Sequence, residues 1–226
     1  MRADKRFSHG FQVLGSWAYS SNTGNNSGNG FNQDDWLSNR GPLPTDFTHI
    51  VNLAGVTLLP LQFQLGLNFS YSSAPPFSAF VGGIDLDGDG TTGDLLPGTT
   101  VNAFNRGMGS ADLQRLVAQF NQTYAGRVGG DAKGAPIPKL MLPDRYWFGD
   151  NYQSLDLRVS RSFSFRDRWR LLLIGEAFNL YNAANLSDYS GDLANNLTFG
   201  QPISRATQVF GSGGPRAFQL GARISF

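Results

Sequence analysis

The chain has 226 residues, a net charge of +1, 15% charged residues and no cysteine. Near-neutral charge without a basic stripe argues against nucleic acid as a partner, and the missing cysteines exclude a disulfide scaffold and thiolate metal sites. No apolar run reaches the length of a membrane helix, and the 28 glycines and 18 phenylalanines among many Asn and Ser suit strands and polar loops better than helical bundles.

At the start, Arg2, Lys5 and Arg6 are not followed by an apolar stretch, so no export signal is read there. Strand character begins at Phe11. Phe11, Val13, Gly15, Trp17 and Tyr19 alternate with Gln12, Ser16, Ala18 and Ser20, with only Leu14 out of place. Such alternation puts apolar side chains on one face of a strand and polar ones on the other. A polar connection over 21–47 leads to a second strand at 51–59, apolar on both faces in places, and then to a short link of Pro60, Leu61 and Gln62. The third strand is clean: Phe63, Leu65, Leu67, Phe69 and Tyr71 against Gln64, Gly66, Asn68, Ser70 and Ser72. After a long connection over 73–152, the fourth sets Leu155, Leu157, Val159, Phe163 and Phe165 against Asp156, Arg158, Ser160, Ser162 and Ser164, with Arg161 interrupting the apolar face. Arg166, Asp167 and Arg168 link it to a fifth strand at 169–181, which starts in register and blurs at Phe178 and Leu180. A third long connection, 182–216, precedes the terminal strand: Phe218, Leu220, Ala222, Ile224 and Phe226 against Ala217, Gln219, Gly221, Arg223 and Ser225.

About ten residues suffice for a tilted strand to cross a bilayer. In an outer-membrane barrel the apolar face meets lipid and the polar face a wet lumen, with short periplasmic turns and long outer loops. Compact soluble domains rarely hold structureless connections as long as these. The expected fold class is therefore all-β, an antiparallel transmembrane β-barrel segment of six strands with long extracellular loops. Counting back from a periplasmic C-terminus puts the turns at Pro60 and Asp167 inside and the three long loops outside, in the outer membrane of a Gram-negative bacterium. Trp17, Tyr19, Tyr71, Tyr146, Trp147, Phe148, Tyr152, Trp169 and Tyr181 are read as interfacial aromatics. Six strands cannot close a barrel, and an open sheet in lipid leaves unsatisfied edges. The chain is thus expected to be the C-terminal part, 1–226, of a larger barrel domain, or else a truncated reading frame.

Two kinds of site stand out. Asp85, Asp87 and Asp89 alternate ahead of Gly90, with Asp94 following, the pattern of a loop that wraps a hard cation. Leu96 stands where a calcium loop carries its bidentate Glu, so Asp94 would have to substitute; the alternative is a solvated acidic turn. Asp156, Arg158, Arg170, Glu176 and Arg223 fall on polar strand faces and are expected to form lumen charge networks. A helix is expected over 110–124, with Asp112 in its first turn and Leu113, Leu116, Val117 and Phe120 on one face. No nucleophile motif occurs, and Gly126, Arg127, Val128, Gly129 and Gly130 follow no strand and lack a P-loop lysine, so no enzymatic activity is expected.

The run Arg145-Tyr146-Trp147-Phe148-Gly149, then Leu155-Asp156-Leu157-Arg158-Val159-Ser160-Arg161, then Gly175-Glu176-Ala177-Phe178-Asn179-Leu180-Tyr181-Asn182 resembles the C-terminal region of TonB-dependent outer-membrane receptors. More narrowly it is similar to their Oar-like branch, which carries a carboxypeptidase-regulatory-like domain at the N-terminus. Lys5-Arg6-Phe7-Ser8-His9-Gly10, Asn39-Arg40-Gly41, Asp46-Phe47-Thr48-His49, Phe199-Gly200-Gln201 and the stretch from Pro215 to Phe226 fit the same branch. The resemblance implies a whole barrel of about 22 strands, uptake or surface binding of a bulky nutrient, and energy from TonB through a plug that this chain lacks. It further implies that Phe218, Leu220, Ile224 and Phe226 are read by the outer-membrane barrel assembly machinery. Expected partners are outer-membrane lipid, the rest of the barrel and plug, and the TonB complex; no cofactor is required, and a structural calcium is the one candidate. The competing expectation is a soluble all-β adhesion module with a calcium-stapled loop.

Overall fold

Seven strands hydrogen-bond in chain order into one antiparallel sheet: β1 (Arg2–Ser8), β2 (Phe11–Tyr19), β3 (His49–Leu59), β4 (Phe63–Ser72), β5 (Tyr152–Phe165), β6 (Trp169–Phe178) and β7 (Ala217–Ser225). The structure is a computed structural model, and it describes all residues except 26–31, 33, 129–135, 166, 167, 208 and 210. The sheet is open: β1 and β7 are its edges and do not pair with each other.

The register carries the alternation from strand to strand. Opposed residues share a face, and the chain of pairs Ile224–Leu171–Phe163, Leu220–Gly175–Val159–Leu65 and Leu157–Leu67–Gly55–Val13 runs apolar right across the sheet. The opposite face carries Gln12, Asn52, Asn68, Asp156, Arg158, Glu176 and Gln219. A one-residue slip anywhere would invert this arrangement, so the aligned faces fix the register. Arg161 does interrupt the apolar face, and Phe63 and Phe163 flank it with ring centroids 5.0 and 4.7 Å from its guanidinium. Leu14 lies on the polar face opposite Ala54, where it lines a 520 Å³ hollow with Ala54, Val56 and Asn68.

Aromatics gather at both ends of the apolar band. Trp17, Tyr19 and His49 stack at one end, with ring centroids 6.0 and 5.4 Å apart, and Trp169 packs on Phe226 at 5.2 Å at the other. At roughly 3.4 Å per residue and a tilt of about 40°, the rise from Phe11 to Tyr19 is ~20 Å, close to the ~25 Å apolar band of outer-membrane barrels.

The described short turns between neighbouring strands of the sheet lie at one end. His9 and Gly10 (φ 53° and 82°) turn β1 into β2, and both central residues are left-handed, as a type I′ hairpin requires. A 3-10 turn, Pro60–Gln62, joins β3 to β4. The turn at Asp167 lies outside the described residues. The three long connections meet at the other end and build a cap. Helix α1 (Ser110–Thr123) buries Leu113, Leu116, Val117 and Phe120, and the Gly109 amide donates to Asp112 Oδ2 at 3.1 Å to cap its first turn.

Among the described residues, every buried apolar side chain belongs to this cap and none to the seven strands. Phe77, Phe104, Phe148 and Phe199 form its aromatic centre. The strands do the reverse: Leu173, Phe218, Leu220 and Ile224 are exposed although large and apolar. An exposed apolar band of that size marks a surface that meets something other than water.

Several expectations are corrected. The sheet has seven strands, not six: Lys5 breaks the face that Ala3 and Phe7 share in β1, so hydrophobic periodicity cannot find it, and pairing with β2 over Arg2–Ser16 to Lys5–Val13 defines it instead. The strand expected over 169–181 stops at Phe178, because Asn179 takes a left-handed conformation (φ 47°) and ends the extended run. Tyr146 and Phe148 are not interfacial but pack against Phe199 and Phe104 in the cap. Tyr152 opposes Ser72 and so lies on the polar face. The long connections also contain short hairpins of their own, Thr23–Asn25 with Arg40–Pro42, Phe80–Val81 with Asp94–Leu95, and Leu186–Tyr189 with Pro202–Arg205.

Candidate functional site

The polar face and the cap meet at the loop end of β4, β5 and β6, where a dense set of hydrogen bonds forms. Asp156 is buried and accepts from Ser154 Oγ at 2.9 Å, from the Asn179 amide at 2.8 Å and from Ser212 Oγ. Asn179 is fully buried, and its Nδ2 donates to the carbonyls of Ala183 (2.9 Å) and Gly214 (2.6 Å). Asn185 bridges Gln153 and Gly213 in the same way. Together they tie the return of the last long connection, around 212–214, to the top of β5. Asp156 thus serves hydroxyls and amides rather than a cation. Arg158 and Glu176 face each other across β5 and β6 at 3.6 Å. Arg170 and Arg223 lie toward the turn end of the same face and form no ion pair among the described residues.

A second tie joins two long connections. Arg106 donates from Nε to Asp46 Oδ2 at 2.6 Å, from Nη2 to the carbonyls of Asp46 and Ala74, and from Nη1 to its neighbour Asn105. The Asn22 amide donates to Asp46 Oδ1 at 2.7 Å. Asp46 is 2% exposed, so its charge is held by this guanidinium in a poorly solvated place. Beside it opens a 450 Å³ cleft lined by Pro44, Phe47, Pro75, Asp150, Asn185 and Tyr189, among others. Burial, and then a hydrogen bond with Asp150, push the Tyr189 phenol well above its ordinary value. The cleft mixes apolar walls with a few polar groups, the usual make-up of a small-molecule site.

The acidic motif forms the tip of the hairpin between Phe80–Val81 and Asp94–Leu95. Carboxylate oxygens of Asp85, Asp87 and Asp94 lie within 4.8 Å of one another, and Asp85 and Asp94 are buried. The Gly88 and Gly90 amides donate to Asp85 Oδ1 (2.6 Å) and Oδ2 (3.0 Å), which both glycines permit through left-handed φ values of 83° and 85°. Asn32 Nδ2 donates to Asp87 Oδ2 at 2.6 Å, and the Leu86 amide to Asp94 Oδ2. Asp89 is not in the group of three; its Oδ1 accepts from the amide and hydroxyl of Thr91 at 2.8 and 2.6 Å. Burial raises the Asp94 carboxyl to about 6, and the charges of Asp87, Asp89 and Asp85 add to the shift. Leu96, at the position of the missing Glu, is fully buried in the cap core.

On β7, Phe218, Leu220 and Ile224 stand on the apolar face and are exposed; Phe226 follows on the same side against Trp169. Of the glycine-rich stretch near 126–130, Gly129 and Gly130 lie outside the described residues. Asp46, Arg106, Asn179, Asn185 and Ser212 were not legible as site residues, since their partners lie between 4 and 60 positions away.

Residues 1–219 match the family model of the outer membrane beta barrel domain. The chain belongs to that family. No curated protein and no solved structure matches it. Membership identifies the medium that the exposed apolar band meets: this is an outer-membrane barrel protein of Gram-negative bacteria, and its apolar face sits in outer-membrane lipid. The soluble adhesion module is thereby set aside.

Proposed function

We propose that the chain is the C-terminal sector of the barrel of a TonB-dependent receptor of the Oar-like branch that takes up or binds a bulky nutrient at the cell surface. The observation that carries this reading is the ordered cap. Of three connections gathered at one end of the sheet, the second and third share a hydrophobic core, the first is tied to them through Asp46 and Arg106, and together they frame a 450 Å³ cleft beside the polar face. A plain pore has no need for a cap of that rigidity, whereas a receptor presents preorganised groups to its ligand.

The open edges support the rest of the reading. Lipid offers no hydrogen bonds to β1 or β7, so further strands have to pair with both. In this reading the cap is extracellular, the Pro60 turn is periplasmic, and the polar face carries lumen charges with a structural role. The assembly machinery reads the β7 aromatics, and TonB supplies energy through the plug.

The test is uptake measured in cells. Deleting the full-length receptor and deleting TonB are each expected to abolish accumulation of the same nutrient, with surface binding retained in the TonB deletion. Steady ion conductance of the purified full-length protein in planar bilayers, together with TonB-independent uptake, would overturn the receptor reading in favour of a passive pore.

A further inference from the structure

We propose that Asp85, Asp87 and Asp94 bind a hard divalent cation, calcium, that locks the Phe80–Leu95 hairpin onto the cap core. This stands independently of the receptor reading, since it concerns only the cap. Three observations carry it. First, three carboxylates converge within 4.8 Å, two of them buried. Second, among the described residues no arginine or lysine forms an ion pair with any of the three. Third, Asp94 is 95% buried by its 5% exposure, and its Oδ1 is buried with no hydrogen-bond partner, although Oδ2 accepts from the Leu86 amide.

An unpaired buried carboxylate oxygen beside two more carboxylates is costly unless a proton or a cation takes it up. The oxygens of Asp85 and Asp87 each accept one N–H and keep a lone pair for a metal. The donor set is all oxygen, with neither His nor Cys, which suits calcium or magnesium rather than a transition metal. A glycine-hinged loop with several carboxylates fits the larger, geometrically tolerant calcium ion. The structure also explains why the ligand set departs from a twelve-residue calcium loop: Leu96 is committed to the core, and Asp94, paired with Val81 in the hairpin ladder, turns its carboxylate inward two positions earlier. Because Val81 and Leu96 both belong to the cap core, a cation at the tip braces the hairpin against that core.

The experiment uses the full-length protein, stripped with chelator in detergent and titrated with calcium chloride by calorimetry. One saturable site is expected, with affinity reduced at least tenfold in Asp85→Asn and in Asp94→Asn and unchanged in Asp112→Asn. Limited proteolysis of the unmutated protein supplies a readout that needs no variant: calcium is expected to slow cleavage between residues 82 and 94, and chelator to restore it. No saturable calcium binding up to ~10 mM, above the range of weak extracellular sites, overturns the proposal. So do binding that neither carboxylate substitution weakens, and protection given equally by magnesium alone.

Discussion

Removing the Arg106 guanidinium tests whether the cap is a preorganised body. Arg106→Ala deletes a charge-assisted bond to the Asp46 carboxylate and bonds to the carbonyls of Asp46 and Ala74, and it leaves a carboxylate of 2% exposure with the Asn22 amide as its remaining partner. Breaking a buried pair from one side costs about 3–5 kcal/mol. Asp46→Asn keeps an acceptor for Asn22 and Arg106 but loses the charge. Its expected cost is the difference between charged and neutral hydrogen bonds, about 1–2 kcal/mol. Because the pair joins the connection before β3 to the one after β4, the loss should be local to the cap. Native-state hydrogen exchange in detergent micelles reads this directly at the amides of Asn22, Asp46 and Arg106. Exchange there is expected to accelerate by roughly two to four orders of magnitude in Arg106→Ala, at tenfold per 1.4 kcal/mol. The strand amides of β4 and β5 should keep their protection. A change below about 1 kcal/mol, or one spread evenly over strands and cap, would refute the reasoning.

Three further outcomes follow from the same geometry. Arginine at Leu65, Leu67 or Leu220 is expected to cost about 2–4 kcal/mol in denaturant titrations of the membrane-inserted protein, while arginine at Asn68 or Gln219 should be far milder; equal damage on both faces would contradict the register. Asp156→Ala orphans the Asn179 amide and the hydroxyls of Ser154 and Ser212, and at about 1–3 kcal/mol per unsatisfied buried group it should expose 212–214 to protease; an unchanged digestion pattern would deny Asp156 its role as a tie. Phe226→Ala in the full-length receptor is expected to lower the outer-membrane level while inserted molecules bind ligand normally, and a normal level with lost binding would move Phe226 from assembly to recognition.

What the sequence reveals and what it hides divide along physical lines. Strands whose two faces meet different media write their alternation into neighbouring residues, as in β4 and β7, and six of the seven are visible that way. Strand β1 meets no such contrast over Asp4, Lys5 and Arg6, and only its pairing with β2 defines it. The helix of the cap was legible from Leu113, Leu116, Val117 and Phe120, since four residues suffice to mark a buried stripe. The cap core was not, because Phe77, Phe104, Phe148 and Phe199 come from distant stretches that no local period relates. Much the same holds for the polar ties: Asp46 and Arg106 are 60 residues apart, and Asp156 and Ser212 are 56 apart. The acidic motif lay between these cases. Its spacing suggested four carboxylates, the fold brings Asp85, Asp87 and Asp94 together, and Asp89 is drawn to Thr91 by a local turn.

The central claim, that one face of the sheet meets lipid and the other does not, is tested most directly by single-cysteine scanning along β4 and β7. The chain contains no cysteine, so each introduced thiol is the only label site within it. Spin labels at positions 63 to 72 and 217 to 225 of the membrane-inserted full-length protein are read by their accessibility to oxygen, which partitions into lipid, and to a polar nickel complex, which does not. Leu65, Leu67, Phe69, Phe218, Leu220 and Ile224 are expected to favour oxygen, and Gln64, Asn68, Ser70, Gln219 and Arg223 to disfavour it, giving a period of two along each strand. A flat profile, or oxygen preference at the second set, would contradict the account.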